Sequence, residues 1–222
     1  MKKLHILLAV LLTMSLLLCG CSDDDMSMEE AAEANPLSLG VVDENGYENK
    51  YMGIAFAPEG WELAGADELQ DALAESAELL EGTELEEKLA DADQVMAMQG
   101  VSPDGMANVN IIYTKLDTTE RLANLVVDDE AVVDEILNQK DTLIESYASA
   151  GLEIEDIIKA EFNYCGEQRL GTLSYGSVTG VPCYILQLYE RNLGSYTAAI
   201  TVTSFQEDTT ESVYELFESL NP

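Results

Sequence analysis

Residues 180–208 read GVPCYILQLYERNLGSYTAAITVTSFQED. Two runs of aromatic, aliphatic and β-branched residues flank the turn sequence Asn192-Leu193-Gly194, so the stretch reads as two antiparallel strands at about 182–191 and 195–205. In the second run Tyr196, Ala198, Ile200 and Val202 share one face and threonines mark the other, the period of two that a pleated strand imposes. Moving toward the N-terminus, "GSVTGVP" (176–182) and "CGEQ" (165–168) carry the same turn chemistry and bound two more runs, at about 156–165 and 168–176. The C-terminal third is therefore expected to be an antiparallel meander.

The remaining elements fall around this meander. Asp208 and Glu211 have capping-box spacing ahead of Val213, Leu216, Phe217 and Leu220, which predicts a closing helix. A long helix is expected from about Asp129 to Ala150, with Val133, Ile136, Leu137, Ile144 and Tyr147 on its buried stripe and Gly151 as its stop. "QVMAMQG" (94–100) and "ANVNIIYTKL" (107–116) read as strands joined by the turn "SPDG". Asp67 and Gln70 open another helical pattern carried by Leu69, Ala72, Leu73, Ala77 and Leu80, interrupted at Gly82. "NGYENKYMGIAFAPEGW" (45–61) predicts a strand or hairpin leading to Trp61, the only tryptophan, packed near a sheet edge. The expected class is α+β: a central antiparallel sheet sandwiched between helices.

The N-terminus carries an address. Lys2 and Lys3 precede an apolar run, Leu4 to Leu18, of about fifteen residues, shorter than the ~20 needed to span a bilayer. Leu18-Cys19-Gly20-Cys21 resembles a bacterial lipobox, in which small residues precede the cysteine that is acylated. Cleavage before Cys21 leaves Cys19 and Gly20 beside the cut, whereas cleavage before Cys19 would leave Leu17 and Leu18 there, against the small-residue rule. The expected organisation is a signal peptide at 1–20, an acidic tether at 21–45 and a single domain at 46–222, with Cys21 lipidated and inserted in the bilayer. "SDDDMSMEEAAEANP" (22–36) has too few large apolar groups to order itself. About 24 residues of such chain would reach on the order of 25–30 Å.

Charge and composition exclude several chemistries. Removing the signal takes Lys2, Lys3 and His5 with it and leaves eight of ten basic residues against 43 acidic ones. So acidic a surface repels nucleic acid and anionic polymers, and no nucleic-acid partner is expected. A mature chain without histidine has no Ser-His-Asp or Cys-His site and no histidine-bearing zinc site. Glycine-rich phosphate loops are missing, and the acidic run lacks the ligand spacing of a calcium loop. Paired carboxylates remain, but with this many acids their presence selects nothing. The domain is expected to be non-enzymatic, with no cofactor, no metal and no catalytic residue. Cys165 and Cys183 fall at opposite ends of the meander with a strand between them, beyond the roughly 4.4–6.8 Å of Cα separation a disulfide requires, so no bridge is expected. Tyr164, Tyr175, Tyr184, Tyr189 and Tyr196 all fall on the proposed sheet, either packing against neighbours or forming a recognition face.

Three segments carry a family resemblance: "YMGIAFAPEGWELAGADEL" (51–69), residues 180–208, and "SVYELFESL" (212–220). They resemble the PsbP-like fold as it occurs in small bacterial envelope lipoproteins of the DcrB and LpqN type, and clostridial lipoproteins in which a Gly-aliphatic-Phe strand leads into Pro-x-Gly-Trp. The resemblance implies a central antiparallel sheet between helices and an accessory, binding or assembly role, and it supplies no catalytic residues. Together these readings predict an extracytoplasmic lipoprotein on a bacterial cell membrane whose domain binds an envelope protein. The alternative is capture of a small ligand.

Overall fold

The computed structural model describes residues 38–69, 94–116 and 128–220. Cys21, the expected signal and most of the expected tether lie outside them, as does the helical pattern beyond residue 69; residues 66–69 are helical.

Strands take 55% of the described residues and helices 20%, in two antiparallel sheets. The first strands are β1 (Val41–Asp43), β2 (Gly46–Asn49), β3 (Ile54–Phe56) and β4 (Glu62–Gly65), so folded structure begins ahead of the expected start at 46. β5 (Gln94–Val101) and β6 (Ala107–Lys115) follow, then helices α1 (Asp129–Asn138) and α2 (Lys140–Ser149). The meander is β7 (Leu152–Tyr164), β8 (Glu167–Val178), β9 (Val181–Leu193) and β10 (Tyr196–Phe205). Helix α3 (Thr210–Tyr214) and strand β11 (Phe217–Ser219) complete the described part. The large sheet has the order β4-β5-β6-β10-β9-β8-β7 and the small one β1-β2-β3-β11.

The meander forms where the turn chemistry puts it. Cys165-Gly166 and Thr179-Gly180 adopt positive φ at both positions (53° and 80°, 51° and 81°), the geometry that matches a tight hairpin to strand twist.

The expected helix–sheet–helix sandwich is wrong. One face of the large sheet carries α1 and α2, whose Ile136, Leu137, Leu143 and Tyr147 pack on Ile154, Ile157, Cys183 and Ile185. The other face carries the small sheet and short α3. The main core lies between the two sheets: Val109, Ile111, Leu186, Leu188, Ile200 and Val202 against Tyr47, Ile54, Phe56, Tyr214 and Phe217. Sheet packs on sheet here because both inner faces supply alternating apolar residues.

The closing helix accounts for part of this correction. It stops at Tyr214, and Phe217 becomes a strand residue paired with Phe56, their ring centroids 4.5 Å apart. The open edge of β3 offers Phe217 hydrogen bonds and an aromatic neighbour together, whereas Leu216 and Leu220 stay exposed. The expected long helix is likewise two helices, broken at Gln139 (φ −102°, ψ 10°). Asp128 caps the first, accepting from Ala131 N at 2.9 Å.

Candidate functional site: a buried polar layer

The helix-side face of the large sheet is unusual for a buried surface. Strand register aligns Gln99 of β5, Asn110 of β6, Thr201 of β10, Gln187 of β9 and Thr172 of β8 in one row across five strands. Asn108, Thr203 and Ser174 lie two residues along on their strands and so share that face. All eight are buried, none more than 9% exposed. On the opposite face the same strands present Val109, Ile111, Ile200, Val202, Leu186 and Leu188, which is what burial ordinarily selects.

The middle of the layer is paired internally. Gln187 Nε2 donates to Thr201 Oγ1 at 3.2 Å, and Tyr189 OH donates to Gln187 Oε1 at 3.2 Å. On one side Gln99 Nε2 and Oε1 and Asn110 Oδ1 have no hydrogen-bond partner among the described residues, whereas on the other Thr172 lies against the Tyr189 hydroxyl and Ser174 against that of Tyr147. Tyr147 reaches the layer from α2 and is fully buried. Burial, and less strongly the Tyr189 hydroxyl, push its phenol well above the ordinary value, with the neighbouring Ser174 hydroxyl pulling the other way. A buried polar group left unpaired costs about 1–3 kcal/mol, so a layer like this is expensive against a total stability of about 5–15 kcal/mol.

A frame of ion pairs holds the helices beside this layer. Arg191 meets Asp129 at 2.6 Å, and Arg169 meets Asp129 at 3.5 Å and Glu190 at 2.8 Å. Lys140 meets Asp156 at 2.9 Å, and Lys159 meets Asp134 at 2.9 Å and Glu130 at 3.1 Å. Four of the chain's ten basic residues thus lie along the seam between α1–α2 and the sheet. Lys140 holds Asp156 below the usual carboxylate range through their hydrogen bond, and Asp134, then Glu130, raise Lys159.

The tyrosines separate into different roles. Tyr164 is buried with its ring 6.0 Å from Tyr214 and 5.4 Å from Phe217, and Tyr196 stands edge-on to Tyr113 at 6.4 Å. Both are packing residues. Tyr175 and Tyr184 are half-buried cross-strand partners, and Tyr189 belongs to the polar layer. Cys165 sits in the β7–β8 turn and Cys183 on β9, unbridged. Burial is the main cause pushing these thiols up, to about 11 and about 12. They are neutral thiols, not nucleophilic thiolates, at neutral pH. Among the described residues no group of three or more His, Cys, Asp and Glu side chains could hold a metal ion. Cys21 lies outside the described residues.

Sequence reading passed over Gln99, Asn110, Gln187, Thr172 and Ser174. The signal was a polar side chain on one face of otherwise apolar strands, as Gln99 in "QVMAMQG" and Gln187 in "YILQLYE". No protein-family model matches this chain, and no curated protein matches it, so the PsbP-like resemblance has no support from either comparison.

Proposed function

We propose that this chain is an extracytoplasmic lipoprotein, held on the outer face of a bacterial membrane by an acylated Cys21, whose β-domain binds an envelope component without catalysing a reaction. The observation that carries the reading is the junction Leu18-Cys19-Gly20-Cys21, set between a basic-then-apolar leader and an acidic stretch. The chemistry of the domain supports binding. Cys165 and Cys183 are held as neutral thiols, and among the described residues a layer of amides and hydroxyls, suited to hydrogen bonding, runs across the large sheet. Among the described residues no helix is long and apolar enough to cross a membrane, and attachment on this reading rests on Cys21.

Cell fractionation with N-terminal mass analysis tests the anchor. The parent chain is expected in the membrane fraction with the mass of a lipidated Cys21, and the Cys21→Ala variant is expected to lose that modification and its membrane retention. Equal retention of the two, with no added mass on the parent, overturns it.

A further inference from the structure

The large sheet ends at β7, and among the described residues no strand pairs with the outer edge of that strand. β7 is 13 residues long, about 40 Å of edge, whereas β4 at the opposite end of the sheet has four residues. Alternate residues of an antiparallel edge strand turn both N–H and C=O outward, so about six residues of β7 present main chain with no strand beside it. The strand contains no proline. Side chains along it are accessible: Glu153, Glu155, Glu161 and Asn163 are exposed, and Ile158 is 40% exposed. Register places Ile158 at the end of a row that crosses the sheet through Val109, Val202, Leu186 and Leu173. The apolar row of the main core thus runs out to the edge and stops there, uncovered.

β7 has one basic residue, Lys159, and it is taken by Asp134 and Glu130, while Asp156 is taken by Lys140. Glu153, Glu155 and Glu161 have no ion pair among the described residues. Glu153 accepts from Ser177 Oγ at 3.3 Å. A second copy of this chain, adding its own β7 in a pairing centred on Ile158, would set Glu155 opposite Glu161 twice, and like charges directly opposite are destabilising. Copies that each carry a net charge of −33 repel one another further. The same three carboxylates attract a strand that bears lysine or arginine. We propose that β7 is a docking edge for an extended cationic segment of a partner protein, one that alternates basic and apolar residues and joins the sheet as an eighth strand. Its main chain pairs with the outward groups of β7, an apolar side chain continues the row beyond Ile158, and its basic side chains lie among Glu153, Glu155 and Glu161. The proposal rests on the binding reading above and names the partner's chemistry, and it is independent of whether Cys21 is acylated.

Fluorescence anisotropy of labelled peptides, titrated with the full mature chain in a non-ionic detergent, tests it. The probes are Lys-Val-Lys-Val-Lys-Val-Lys, the same sequence N-methylated at every residue, and Glu-Val-Glu-Val-Glu-Val-Glu. The first is expected to bind and the other two to bind at least about tenfold more weakly, one for want of N–H donors and one for its charge. Hydrogen exchange in the complex is expected to show protection rising along β7 and not along β4. The triple variant Glu153→Gln, Glu155→Gln, Glu161→Gln is expected to keep its Tm and to bind the first peptide at least about fivefold more weakly. Should that variant fail to fold, the N-methylated comparison decides alone. Equal binding of the N-methylated peptide would mean attraction to the acidic surface at large, and this overturns the docking edge. No binding of the first peptide also overturns it, and so does protection that rises away from β7. Sedimentation of the mature chain as a dimer, with β7 protected in it, overturns it in favour of a second copy. Because membrane fractionation decides the anchor separately, failure here leaves that reading standing.

Discussion

Asn49 shows what a satisfied buried amide looks like in this molecule. It is fully buried, and its Nδ2 donates to the hydroxyls of Tyr47 at 2.7 Å and Tyr113 at 2.9 Å. Its Oδ1 accepts from the backbone N–H groups of Tyr51 and Met52, both at 3.0 Å. One side chain therefore shapes the β2–β3 turn and ties the small sheet to β6 of the large one. Asn49→Ala strands several of these groups at once, and urea unfolding is expected to show a loss of about 2–4 kcal/mol with an unchanged m-value. Gln99→Met, by contrast, is expected to cost nothing. The sequence could not tell these amides apart: Asn49 and Asn110 both look like polar residues in apolar strands. What separates them is a hydroxyl 64 residues away, Tyr113, which no local pattern reveals. Cys165 and Cys183 were easier to place, because strand direction alone puts them at opposite ends of the sheet.

The helical pair α1–α2 is the element most dependent on charge. Its apolar contacts with the sheet form the smaller core cluster, and its margins are the ion pairs of Lys140, Lys159, Arg169 and Arg191. Asp156 is depressed by Lys140, so its contribution is present above the usual carboxylate value and fades as pH falls through the lowered one. Lys140 and Lys159 are raised by their carboxylate partners, so their contribution holds below the usual lysine value and fades as pH rises through the raised one. Hydrogen exchange is expected to show α1 and α2 amides losing protection in acid and in high salt before the strands of the small sheet do. Simultaneous loss in both regions would show that the ion pairs do not govern docking. At this scale the meander was legible because turn residues and a period of two agree along the whole of β7 to β10. The closing helix was not. "SVYELFESL" fits both helical and strand periods, and the choice is made by the unpaired edge of β3, a partner far away in the chain.

As a whole the molecule is two stacked sheets with a helical pair on one outer face, and its core is unusually rich in buried phenols. Tyr47 and Tyr189 are raised to about 12, and Tyr147, Tyr164 and Tyr214 well above their ordinary value, in each case chiefly by burial. Cys183 is raised by burial to about 12. These groups keep their protons in the folded state after the unfolded chain has begun to lose its own, so stability falls as pH rises above the ordinary thiol and phenol values of 9.0 and 10.0. Alkaline titration is expected to show buried tyrosines ionising together with the loss of sheet circular dichroism, in one cooperative step. Gradual phenolate formation with the sheet intact would contradict it. The class was misread at this scale because a helical sandwich and a sheet-on-sheet stack begin from the same alternating strands, and only the partner of the inner face distinguishes them. That partner has a consequence for how the protein is made. Strand β3 is completed by β11, so Phe56 must wait for Phe217, which leaves the ribosome long after it. Until then the aromatic interior is bare on one side. A chain stalled before Phe217 would present chaperones and proteases with an open edge in place of a finished small sheet.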